Sequence, residues 1–197
     1  MKIGLYFGTF NPIHNGHLII ASYMQQSTAL DQVWIVVSPQ NPFKINHNLL
    51  NEYHRLALVK LALEGENNIK VTDIEFQLPK PSYTIHTLTY LEEKYPQHEF
   101  AIIMGSDGLQ NLDKWKNSDV IMNKFPIYVY ERPSFPIRQD LPIKELVLTD
   151  TPLLQISASM LRKMIQQGKS IRYFVPDTVK EEIEANSYYK AVQKQAE

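Results

Sequence analysis

The chain contains no cysteine. Disulfide scaffolds, thiolate zinc sites and cysteine nucleophiles are therefore excluded. It has no surplus of either charge. A formal net charge of −1, from 20 basic and 21 acidic residues, argues against a broad basic face and so against nucleic acid as a partner. A local pocket for a small phosphorylated ligand stays open. Long apolar runs are missing too. Residues 1–7 are too short for a signal peptide and no membrane-length stretch follows, so no membrane partner is expected and the expected address is cytoplasmic. There is no GxxxxGK[ST] loop and no GxGxxG fingerprint, which argues against P-loop enzymes and ordinary dinucleotide binders. Glycine itself is scarce, at seven residues in 197.

What is present reads as one soluble domain. A hydrophobic fraction of 44% and a charged fraction of 21% are ordinary for a globular protein of this length. Residues 1–190 are expected to form the domain and 191–197 a frayed polar tail. Short apolar runs at 2–7, 32–37, 69–73, 99–104, 125–130 and 145–148 are strand candidates. Between them, helical spacing is expected over 17–28, over a second segment from an Asn51 cap to about 64 with Leu56, Val59, Lys60 and Leu63 in phase, and over 82–94. The C-terminal part turns helical, with Ser157 capping 158–167, Gly168 as the stop, and Asp177 capping a helix to 185. Strands alternating with helices predict an α/β fold, a Rossmann-like, doubly wound and mainly parallel sheet with a helical C-terminal part. Ligands of such sheets bind beyond the carboxyl ends of the strands.

Four of the seven glycines, Gly8, Gly16, Gly105 and Gly108, follow predicted strands. Gly8 lets the backbone come close to a ligand. The helix expected to begin near Gly16 offers free N–H groups to an anion, and His14 and His17 can face the same anion. Those two imidazoles leave three readings open: a phosphate site, a zinc pair, or loop histidines without a ligand. No third His, Asp or Glu at suitable spacing supports zinc.

The run Gly8-Thr9-Phe10-Asn11-Pro12-Ile13-His14-Asn15-Gly16-His17 resembles the GH-bearing signature of the nucleotidyltransferase superfamily. Ile156-Ser157-Ala158-Ser159-Met160-Leu161-Arg162 is similar to its second signature, ISxSxxR, at the expected place. The similarity spans nearly the whole chain and comes closest to the bacterial nicotinate-mononucleotide adenylyltransferases, with Asn11 where many relatives carry Asp. The resemblance implies an enzyme that takes ATP and nicotinate mononucleotide and makes nicotinate adenine dinucleotide and pyrophosphate in NAD biosynthesis. It implies that His14 and His17 hold the reacting phosphates, near the amides of Thr9 and Phe10. Lys44, Ser157, Ser159 and Arg162 would grip phosphate, Arg162 chiefly on the leaving side.

By the same resemblance Gly105 and Asp107 belong to a loop for the adenosine ribose, and Tyr83, Thr84 and Trp115 to the pyridine mononucleotide. Magnesium (Mg2+) would be bound through ATP phosphates, without a cage of protein ligands. In isolation Lys44 is also a solvated surface lysine, Ser82 to Thr84 a helix cap, and Trp115 a core residue. Other superfamily members, such as phosphopantetheine adenylyltransferase, and a non-catalytic nucleotide sensor are the alternative functions. Acid against amide substrate is not decided by these residues, and a homo-oligomer is left open.

Overall fold

The computed structural model describes residues 1–40, 49–152 and 154–190. Six strands form one parallel sheet: β1 (Lys2–Gly8), β2 (Gln32–Val37), β3 (Ile69–Thr72), β4 (Glu99–Gly105), β5 (Ile127–Tyr130) and β6 (Leu146–Thr149). Their order is β3-β2-β1-β4-β5-β6. The chain winds outward from β1 through β2 to β3, then crosses to β4 and winds the other way. The reversal between β1 and β4 opens a crevice at their carboxyl ends.

Side chains alternate across the strands and feed two cores. Tyr6 of β1 and Ile103 of β4 join one, with α1 (Asn15–Ser27), α2 (Glu52–Ala62), α6 (Ala158–Gln166) and α7 (Asp177–Ala185) packed over it. Ile3, Leu5 and Ile102 join the other, under α3 (Thr84–Lys94), α4 (Ser106–Leu109) and α5 (Ser118–Lys124). Helices on both faces of a parallel sheet are the expected doubly wound architecture.

Several local expectations hold. Asn51 caps α2 by accepting the Tyr53 N–H at 2.9 Å, Ser157 caps α6 by accepting that of Met160 at 3.2 Å, and Gly168 ends it with φ +68°. Others are corrected. Helix α1 begins at Asn15 because His14 caps it, and Asp177 is the first residue of α7, not its cap, which is Pro176. An acidic residue at that position still meets the positive end of the helix. In α2, Lys60 is exposed, while Arg55, Leu56, Leu58 and Val59 are buried. Among the described residues no helix is long and apolar enough to cross a membrane.

Candidate active site

A cleft of about 660 Å³ lies at the carboxyl ends of β1 and β4, within the range that holds small ligands. Gly8, Thr9, Phe10, His17, Tyr83, Thr84, Gly105, Asp107 and Trp115 line it, so nine of the expected residues come together from distant parts of the chain.

The β1 end supplies a strained loop. Phe10 has φ +44°, a left-handed conformation that a bulky side chain resists. Its buried ring packs edge-on to Tyr6 and His17. The Asn11 Oδ1 accepts the Leu50 N–H at 3.2 Å. An aspartate oxygen could accept the same bond, which is why Asn is a mild departure here.

His14 and His17 form a reciprocal cap at the start of α1. The His17 N–H donates to His14 Nδ1 at 3.4 Å, the His14 N–H donates to His17 Nδ1 at 3.3 Å, and the rings stack at 3.6 Å. Imidazole takes the places usually held by Ser and Glu in a capping box. Because both Nδ1 atoms accept, both rings are assigned the neutral tautomer with hydrogen on Nε2. Burial first, and then the charge of Arg132, bring His14 down to about 4. Burial, His14 and Arg132 hold His17 well below the ordinary histidine range. His17 borders the cleft, and its Nε2–H is the donor it can offer; His14 is buried behind it.

The β4 end faces this pair. A side chain at position 105 would collide with the Asp107 carboxylate and come within 2.7 Å of Arg132 Cδ, so glycine lets those two side chains stay where they are. Asp107 lies in the first turn of α4, with its Oδ1 3.8 Å from Arg132 Nε. The buried Ser106 hydroxyl accepts the Arg132 N–H at 2.8 Å and fixes where that arginine leaves β5. Beside it, the Tyr6 and Tyr130 hydroxyls lie 3.1 Å apart.

The far end of the cleft is aromatic. Tyr83 and Trp115 are half-buried there, and Lys116 Nζ sits 4.7 Å over the Tyr83 ring. Helix α3 begins at Thr84, which borders the cleft, and has no side-chain cap; the Tyr83 carbonyl accepts the His86 N–H at 2.9 Å. Below, the buried Glu75 carboxyl accepts the Thr87 hydroxyl at 2.9 Å. Burial pushes Glu75 up, against the hydroxyls of Ser38, Thr87 and Ser82, which pull it down.

The second signature lies beside the cleft rather than in its wall. Of that segment Ala158 borders the cavity, while Ile156, Ser157, Ser159 and Arg162 are not among its lining residues, and Gly16 lies close to Ile156 and His14. The Ser157 hydroxyl serves the α6 cap. Arg162 donates to the Asn11 carbonyl at 2.7 Å and to Ser159 Oγ at 3.1 Å, tying α6 to the β1 loop. Lys44 lies outside the described residues.

The sequence from 5 to 164 matches the cytidylyltransferase-like family model. A protein of Cytophaga hutchinsonii, named "Probable nicotinate-nucleotide adenylyltransferase", is 50% identical, over 96% of this chain and 98% of its own length. One of Flavobacterium johnsoniae with the same name is 49% identical, over 96% of this chain and all of its own length. The chain belongs to the nicotinate-nucleotide adenylyltransferase family. Its fold is also that of Plasmodium falciparum nicotinic acid mononucleotide adenylyltransferase in complex with NaAD. That structure matches at TM-score 0.82 and 20% identity, over 95% of this chain and 97% of that one.

In this member of the family, sequence reasoning missed Arg132, Lys116, Glu75 and Arg55. Arg132 follows a strand end, the place that the α/β fold marks for inspection, and could have been found there. Arg55 had no such signal. It sits on a helix face, yet it is wholly buried and donates to the carbonyls of Thr9, Ser38, Pro39 and Leu50.

Proposed function

We propose that this chain joins ATP to nicotinate mononucleotide, giving nicotinate adenine dinucleotide and pyrophosphate, the reaction that its family is named for. The observation that carries the reading is one cleft with a locked imidazole donor at one end and an aromatic, positively biased pocket at the other. A phosphate oxygen of the mononucleotide forms a bond to the α-phosphorus of ATP as the bond to the β-phosphate oxygen breaks, and pyrophosphate leaves with that electron pair. The attacking phosphate is largely ionised near neutral pH, its second pKa being about 6, so no general base is needed. Alignment and charge neutralisation remain for the protein to supply.

His17 Nε2–H and the amides of Thr9 and Phe10 hold the reacting phosphates in this reading, with His14 fixing His17 through the stack and the cap. Arg132, Arg162, Ser157, Ser159 and Lys44 add positive charge or donors for the phosphates of ATP. Asp107 takes a ribose hydroxyl of the adenosine. Tyr83, Thr84 and Trp115 enclose the pyridine. The N-terminal end of α3 and the ammonium of Lys116 favour a ring carboxylate over a neutral amide, which supports the acid substrate. Among the described residues no group of three His, Asp or Glu side chains could hold a metal ion. Magnesium would be carried by ATP oxygens and water, where it would neutralise charge on the departing pyrophosphate. A cytoplasmic location goes with substrates of this kind.

The test is steady-state kinetics with ATP and the acid and amide mononucleotides side by side, following dinucleotide and pyrophosphate. Dinucleotide should form with the acid preferred, and excess chelator should stop it. An undiminished rate in chelator would remove the divalent cation from the mechanism. No product with either mononucleotide would remove the proposed activity.

Trp115 gives a second test. An aromatic face on a flat heterocycle contributes on the order of 1–3 kcal/mol, so Trp115→Ala should raise KM for the mononucleotide roughly tenfold. KM for ATP should change little and the melting temperature should stay near that of the wild type. A large fall in melting temperature with an unchanged mononucleotide KM would make Trp115 a packing residue.

A further inference from the structure

Arg55 is the bulkiest fully buried side chain among the described residues. Burial lowers its pKa, but a guanidinium remains a cation in a protein. Burying a charge is costly unless it is paired and hydrogen-bonded. Here the hydrogen bonds go to four carbonyl oxygens: Leu50 at 2.7 Å from Nε, Thr9 at 2.6 Å and Ser38 at 2.8 Å from Nη1, and Pro39 at 2.9 Å from Nη2. Those carbonyls belong to segments that border the cleft or lead directly to it: the loop after β1, the exit of β2, and the approach to α2.

The direction of these bonds has a geometric result. A peptide unit is planar, and in a trans peptide the C=O and the next N–H point opposite ways. With the Thr9 carbonyl held inward on Arg55, the Phe10 N–H is turned outward. With the Pro39 carbonyl held inward, the Gln40 N–H is turned outward too. Thr9, Phe10 and Gln40 all border the cleft. An independent sign is the φ of +44° at Phe10. A bulky residue keeps such a conformation only where its surroundings over-determine it. Arg55 holds the carbonyl before Phe10 and Arg162 holds the carbonyl after it, at Asn11.

We propose that Arg55 is a positioning residue for the phosphates of the bound nucleotides, aiming the Phe10 and Gln40 N–H groups into the cleft through the carbonyls of Thr9 and Pro39. The proposal rests on the adenylyltransferase reading and deepens its phosphate site. Arg55 touches no substrate itself. A lysine at this position keeps a charge but cannot fork to four oxygens. Arg55→Lys should then lose aim: kcat falls about 10²-fold, the scale of a lost preorganised donor, while KM for the mononucleotide stays within a few-fold. A residue that only stitches loops together would lower the melting temperature and leave kcat of the folded enzyme unchanged, and that result would overturn the proposal.

If Arg55→Lys does not fold, amide NMR of the wild-type chain titrated with inorganic pyrophosphate decides the matter. The Phe10 and Gln40 amide resonances should be among those that move and gain protection from exchange. Pyrophosphate binding that leaves both amides unmoved would overturn the proposal. So would failure of pyrophosphate to bind at all. A wild-type chain that makes no dinucleotide, yet moves both amides with pyrophosphate, would sink the activity and leave the role of Arg55 standing.

Discussion

His17→Ala should lower kcat by about 10²-fold or more, with a smaller change in either KM. The expectation follows from how the ring is held. Its Nδ1 is occupied by the His14 N–H, so Nε2 carries the hydrogen and is the donor left for a ligand. Burial keeps the ring neutral at pH 7, so it acts as a fixed dipole rather than a charge. A fixed donor gains most where negative charge builds up, on the phosphates in the transition state. The ring's depressed pKa also sets the pH window. The neutral form is the competent one, so this contribution persists through pH 6.5 and is lost only well below it. Because alanine also removes half of the cap, His17→Asn is the control, as it keeps a short donor and acceptor. Steady-state rates and a melting curve on both variants check the expectation. A variant with wild-type kcat and only a raised KM would show that His17 binds substrate without favouring the transition state.

Arg162→Lys should weaken the use of ATP by roughly tenfold to a hundredfold in kcat/KM, since hydrogen bonds to charged groups contribute about 1.5–3 kcal/mol each. Two of its donors are already placed on the Asn11 carbonyl and on Ser159 Oγ. A guanidinium has five N–H donors in all, so others are left for a phosphate oxygen. Lysine cannot keep both protein bonds and also serve a ligand along one plane. Arg162 would thus lose its grip and loosen the contact between α6 and the β1 loop together. Mononucleotide binding should be nearly untouched. A fall in mononucleotide affinity with constant ATP parameters would put Arg162 on the other substrate.

The sheet and most of the cleft were legible in the sequence because they depend on near neighbours, whereas the strand order that puts the reversal between β1 and β4 was not. Gly8 ends an apolar strand and precedes a helix, and Gly105 does the same, so strand periodicity alone marks both as cleft positions. Ser157, Asn51 and Gly168 were readable because caps and stops are set by one side chain and its own turn. Other features depend on distant partners. Arg132 matters because Ser106 fixes it beside Asp107. Arg55 looks like the polar side of α2 until the loops it holds are folded over it, and so Lys60 was wrongly given a place on the buried face. The short helices α4 and α5 span only four and seven residues, too little for a helical period to appear. That Ala158 is the residue of the second signature bordering the cleft also could not be read, because a motif gives spacing and not depth.

The imidazole cap of α1 bears on which ions this cleft can tolerate. A transition metal binds histidine through a bare ring nitrogen. In both rings that lone pair is at Nδ1, already engaged by a backbone N–H, while Nε2 carries hydrogen. Zinc or copper could attach at Nε2 only after a ring shifted its proton to Nδ1, which would cost the start of α1 one cap hydrogen bond. An oxyanion meets no such barrier, since it accepts what the rings already offer. The same two hydrogen bonds that finish a helix thereby leave both rings set to donate to an oxyanion and not to ligate a metal.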